Sequence, residues 1–141
     1  MERLSKLTNL KSLTLTGHIV TAAGLKHLAS LKKLEKLQIR ETVSADALRQ
    51  LGEDLPSLVS LTIDVSASSL PSLQAFTNLE GLHLFADGVS DAALLSLQTL
   101  NNLKSCRIEG GSFTAAGIAA LQNKLPECMI VAPDIAATTS Q

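Results

Sequence analysis

Three histidines, two cysteines and one glycine-rich turn are the residues of this chain whose types lend themselves to chemistry. Histidine ligates metals and moves protons near neutral pH, a thiolate is a nucleophile or a metal ligand, and a glycine turn before a helix can cradle phosphate on backbone N–H groups. None of the three sets has the companions its chemistry requires. His18 falls in a turn, His27 on a helix and His83 on a strand, too scattered to converge on a metal. Cys106 stands where a core leucine belongs and Cys128 aligns with Leu10, so both thiols are expected to be buried and inert. No Cys-x-x-Cys or zinc-type spacing occurs, and Gly110-Gly111-Ser112 has no neighbouring lysine, which leaves it a turn. A nucleophile elbow, a phosphate loop ending in Lys-Ser/Thr and His-Glu-x-x-His are all missing. The expectation is therefore no enzyme, no cofactor and no metal.

The elements that would position any functional side chain are written as one unit copied along the chain. Leu7, Leu10, Leu13 and Leu15 return as Leu31, Leu34, Leu37 and Ile39, then as Leu55, Leu58, Leu61 and Ile63. They return again as Phe76, Leu79, Leu82 and Leu84, and as Leu100, Leu103, Cys106 and Ile108. The first positions are 24, 24, 21 and 24 residues apart, a period that identifies a stacked repeat architecture. The last two apolar residues of each unit are two apart, which puts them on one face of a short strand. A second pattern then follows at spacings of three and four, as in Leu25, Leu28 and Leu31, and predicts a helix. Thr21, Ser44, Ser90 and Thr114 precede these helices as N-caps, with Asp46 and Asp91 in the first turn beside the helix dipole. Small Ala and Gly residues follow, letting that turn approach its neighbour. The third unit is three residues short and reads Val65-Ser66-Ala67-Ser68-Ser69-Leu70-Pro71 where the others have a capped helix, so a single helical or 3₁₀ turn is expected.

Composition narrows the class further. Apolar residues make up 45% of 141 but aromatic residues only 2%, so Leu, Ile, Val and Ala must fill the core. The net charge of −1 argues against nucleic acid or an anionic membrane as partner. Its distribution is uneven: residues 1–49 hold nine Lys and Arg against four acids, and residues 50–141 hold three against nine. The chain has no Asn-x-Ser/Thr sequon, no signal-type apolar region at its start and no run long enough to span a bilayer, so a cytoplasmic protein is expected.

These residues resemble the leucine-rich repeat family, whose pattern is Leu-x-x-Leu-x-Leu-x-x-Asn/Cys-x-Leu. The first unit fits as Leu10, Leu13, Leu15, His18 and Val20, and the resemblance covers about residues 4 to 131. The tail Val20-Thr21-Ala22-Ala23-Gly24-Leu25 looks like the ribonuclease-inhibitor-like and cysteine-containing classes. The family's Asn/Cys position is held by His18, Thr42, Asp87 and Gly111, and Gly111 cannot supply the side-chain ladder found there in the family, so looser turns are expected. The resemblance implies an α/β, right-handed leucine-rich-repeat solenoid, a short horseshoe with a parallel sheet on its concave face and helices on its convex face. It also implies a protein-binding scaffold. One domain over residues 1–134 is expected, with 135–141 as a disordered tail, and Leu125 begins a sixth unit.

On such a scaffold the strand positions between and after the core pairs line the concave face. They form two adjacent columns: Thr14, Gln38, Thr62, His83 and Arg107, then Thr16, Arg40, Asp64, Phe85 and Glu109. Phe85 stands out as an aromatic on a polar face, flanked by His83 and Arg107. It either anchors a partner or folds over the rim against Val65 or Phe113. Arg40 with Asp64, and Arg107 with Glu109, are placed to neutralise one another. The expected function is a non-enzymatic module that binds a protein partner on this sheet. Two alternatives follow from the uncapped ends and the charge split: a substrate-recognition segment of a larger adaptor or bacterial effector, and a scaffold that self-associates head to tail as a homo-oligomer.

Overall fold

A computed structural model describes residues 2–17 and 20–136. After a 3₁₀ turn at Glu2–Lys6, the strands β1 (Ser12–Leu15), β2 (Lys36–Thr42), β3 (Ser60–Asp64), β4 (Gly81–Phe85), β5 (Ser105–Glu109) and β6 (Met129–Val131) lie in chain order in one sheet. Every adjacent pair is parallel. The sixth unit thus contributes a strand, as the Leu125 spacing predicts.

The helical wall is only partly α. α2 (Ala45–Asp54) and α4 (Ala115–Lys124) run ten residues, whereas α1 (Ala22–Leu25) and α3 (Asp91–Leu94) are single turns continued as 3₁₀ at Lys26–Ser30 and Leu95–Thr99. Apolar spacing at three suits both helix types, so the pattern could not separate them. The short third unit has 3₁₀ structure alone, Leu70–Ala75. Ser66 and Ser69 replace a helix cap there: each backbone N–H donates to the other's Oγ, at 3.1 and 3.3 Å. Ser69 is 1% exposed, so this exchange satisfies polar groups that burial would otherwise strand. A last turn, α5 (Pro133–Ala136), closes the described chain. Ile135 and Ala136 fall within this turn, and residues 137–141 of the expected tail lie outside the described residues, as does His18.

One continuous core runs through the stack. Leu34, Leu37 and Ile39 of the second unit are at most 2% exposed, as are Leu58, Leu61 and Ile63 of the third. Leu10, Leu13 and Leu15 of the first unit are only partly buried, because they have a neighbouring layer on one side. The caps hold as expected at Thr21, Ser44 and Thr114, whose side chains accept from Gly24, Ala47 and Gly117 backbone N–H groups. Ser90 departs from the expectation, since its hydroxyl makes no cap bond. The next residue instead reaches across to the following unit. Asp91 Oδ1 accepts from Thr114 N and Asp91 Oδ2 from Thr114 Oγ1, both at 2.7 Å. Gly117 lies directly against this carboxylate, where a Cβ would collide with it, so a glycine is required at that approach.

The turns are tied by a different polar ladder from the one the family pattern suggests. It sits before β2, β4 and β5: Lys33 Nζ donates to Asn9 Oδ1 at 2.8 Å, Asn78 Nδ2 to the Pro56 carbonyl at 2.9 Å, and Asn102 Nδ2 to the Thr77 carbonyl at 2.8 Å. Each reaches back exactly one unit, so adjacent layers are bonded at their edge despite Gly111.

Candidate partner-binding face

The sheet brings the first expected column together without a break. Thr14, Gln38, Thr62, His83 and Arg107 are register partners in that order, and Val131 of β6 extends the row. The second column holds from Asp64 through Phe85 to Glu109 and then fails. Opposite Asp64 stands Thr42, not Arg40, because the register shifts between Ile39 and Thr42, and Thr16 lies beyond the end of β1. Two extra residues in β2 are the cause, and the spacing of its neighbours gives no sign of them.

A further column was missed. Ser12, Lys36, Ser60, Gly81, Ser105 and Met129 are also register partners, two residues before the first column and so on the same face. Extending the period by one more step would have found it. Gly81 leaves this column without a side chain between Ser60 Oγ and Ser105 Oγ, and a groove of about 230 Å³ runs here past Thr62, His83 and Arg107 to Met129.

Six of the ten expected residues meet beside that groove. Phe85 is half-buried: its ring centroid is 4.6 Å from that of His83, tilted by 34°, and Arg40 Cζ sits 3.5 Å from it. Arg40 Nε is also 3.2 Å from Asp64 Oδ1, a buried oxygen that accepts no hydrogen bond, so the contact is electrostatic and poorly aligned. On the other side Arg107 Nε donates to Glu109 Oε1 at 2.6 Å, and His83 Nε2 donates to the same oxygen at 3.0 Å. These bonds, the Arg107 one foremost and the His83 one next, hold the Glu109 carboxyl below the usual glutamate range. Thr62 lies on the groove wall. Thr14, Thr16 and Gln38 lie toward β1 and make no side-chain hydrogen bond to the cluster.

Both cysteines and the glycine turn are built into the fold. Cys106 and Cys128 are free and buried. Burial, with a smaller contribution from Cys128, pushes the Cys106 thiol up to about 12, and burial also raises Cys128, so neither is poised as a nucleophile. Gly110 and Gly111 take φ of 75° and 97°, a left-handed turn over which the Phe113 ring packs. Among the described residues no group of three His, Cys, Asp or Glu side chains could hold a metal. A larger depression of about 530 Å³ lies on the helical side between α1 and α2, but its leucines, Leu25 and Leu51, are already 3% and 2% exposed. No helix among the described residues is long and apolar enough to cross a membrane.

No protein-family model matches this sequence, and no curated protein matches it either. Solved structures do share the fold. An internalin C2 from Listeria monocytogenes aligns with a TM-score of 0.65 at 21% identity, covering 93% of this chain and 54% of its own. A second Listeria monocytogenes internalin aligns at 0.62 and 17% identity, over 93% and 43%. The tropomodulin C-terminal domain of Caenorhabditis elegans aligns at 0.61 and 18% identity, over 89% and 88%. The chain spans about half the length of the internalin structures it matches. Together with the six parallel strands in chain order, these alignments show the fold to be an α/β leucine-rich-repeat solenoid.

Proposed function

We propose that this leucine-rich-repeat chain is a non-enzymatic interaction module that binds a protein partner on its sheet face, around Phe85. The observation that carries the reading is the Arg40–Phe85–His83 stack: an aromatic ring held on a mostly polar face by a guanidinium and an imidazole. Aromatic and arginine side chains supply a disproportionate share of binding energy at protein interfaces. The ribonuclease-inhibitor-like class is part of the same proposal, supported by the ten-residue helices α2 and α4. So is a place within a longer recognition protein, supported by the partial coverage of the internalins.

Affinity capture from source-cell extract tests the reading, with Phe85→Ala and Arg107→Glu beside Gln98→Lys, an exposed change on the helical wall. The first two are expected to lose the captured protein and the third to keep it. A partner retained equally by all three would remove the sheet face from consideration.

The charge division supports a second reading, self-association. Chain-ordered strands turn the sequence asymmetry into a spatial one, with the basic residues toward β1 and β2 and the acidic ones toward β6. Light scattering across a salt series tests it, because screening weakens an exposed electrostatic contact. A molar mass independent of both salt and protein concentration would exclude it.

A further inference from the structure

We infer that a second copy of this chain stacks on the first, the outer face of its β1 layer on the outer face of the β6 layer, so that the parallel sheet runs on from β6 into β1. The inference rests on the self-association reading above and names the two surfaces and their register. Leu7, Met129 and Val131 are the exposed large apolar residues among the described ones, at 49%, 70% and 39%, and all three belong to the first or the last layer. Leu7 is the clearer case. Its counterparts in the following units, Leu31, Leu55, Phe76 and Leu100, are at most 2% exposed, because each has a preceding layer to cover it. β1 and β6 are also the edge strands of the sheet, each paired on one side only.

The polar groups of the two faces match as donor and acceptor. Inside the stack, the asparagine three residues before a strand donates to a carbonyl of the preceding unit: Asn78 Nδ2 to Pro56 and Asn102 Nδ2 to Thr77, at 2.9 and 2.8 Å. Asn9 holds the same place before β1, and its Nδ2 donates to no described residue. Pro126 follows Leu125 as Pro56 follows Leu55, and its carbonyl accepts from no described residue. A second set is half filled. The carbonyl just before a strand accepts two N–H groups from the next unit, as Lys11 does from Glu35 and Lys36, both at 2.9 Å. In the last unit that carbonyl belongs to Cys128, where Gln122 Nε2 donates at 2.7 Å and one lone pair is left for a further N–H.

Charge selects among the possible arrangements. Residues 2–30 hold four cations and one acid, whereas residues 110–136 hold two acids and one cation. Two β1 faces brought together would oppose cation to cation and donor to donor, and two β6 faces acid to acid and acceptor to acceptor. Stacking β1 on β6 satisfies both sets. Such a contact is heterologous, so it leaves one face free at each end and can propagate. The inner units fix its register: Ser12 pairs with Lys36 and Ser105 with Met129, so Met129 of one copy falls opposite Ser12 of the next, and Ile130 opposite Leu13.

Mixing chains that carry Ser12→Cys with chains that carry Met129→Cys, under mild oxidation, tests the register. Strand partners lie about 4.8 Å apart, within disulfide reach, while Cys106 and Cys128 are buried. The mixed disulfide between positions 12 and 129 is expected to exceed both like-with-like products, and Ser12→Cys mixed with Gln98→Cys on the helical wall is expected to give only background. Light scattering of the unsubstituted chain should show a mass that rises with protein concentration and falls with salt. Leu7→Ala and Asn9→Ala should each weaken the association about fivefold, the size of half a leucine's burial or of one hydrogen bond. Amide spectra of the variants verify that the sheet is intact. Like-with-like disulfides in excess, or an association that both alanine changes leave unaltered, would overturn the inference while leaving self-association standing. A mass independent of protein concentration up to about 1 mM, the range of weak contacts, would overturn both.

Discussion

Glu109 is the acceptor that holds His83 and Arg107 in place, and its titration reports on that arrangement. The carboxyl is lowered in the folded chain, so the contribution of this trio is present above the ordinary glutamate value and disappears as pH falls through the lowered one. Replacing Arg107 by Gln removes the larger cause, and the Glu109 midpoint read by carbon NMR should move up toward the ordinary value. A midpoint that stays where it is would mean that Arg107 does not hold Glu109 in solution. The two ion pairs were legible in the sequence because their members sit two residues apart or in neighbouring units. The Arg40–Phe85 stack was not: it joins strands two steps apart, and the bulged stretch of β2 that accompanies it leaves the leucine spacing untouched.

At the scale of elements, strand positions could be read directly, since a pair of apolar residues two apart marks each one from β1 to β5. Helix type could not, since α and 3₁₀ segments both bury residues at a spacing of three. The edge ladder was hidden for another reason: Asn9, Asn78 and Asn102 look like ordinary turn residues until their partners in the neighbouring unit are seen. If the ladder ties the layers, Asn78→Ala and Asn102→Ala should each lower unfolding stability by about 0.5–1 kcal/mol in urea titrations. The exposed neighbour Asn101→Ala should fall within about 0.5 kcal/mol of wild type. Equal effects at positions 101 and 102 would remove the ladder from the account of stability.

The whole molecule is a stack in which each layer is buried by the next, and this leaves the outward side chains of the sheet free of structural duty. Leucine, isoleucine and valine, with Phe76, Ala86, Cys106 and Cys128, close the core, while hydroxyls, charged side chains and one phenylalanine ring occupy the face. That division was visible in the repeat, which is why the fold and the location of the candidate site could be read together. What the repeat could not supply was the clustering of Arg40, Asp64, His83, Arg107 and Glu109 about Phe85, a product of register and side-chain packing across four strands. The direct test of the central claim is photo-crosslinking with a photoreactive residue at Thr62 on the sheet or at Gln98 on the helical wall, in the presence of the captured partner. The account predicts a crosslinked product from position 62 and none from position 98; crosslinking from 98 alone would contradict it.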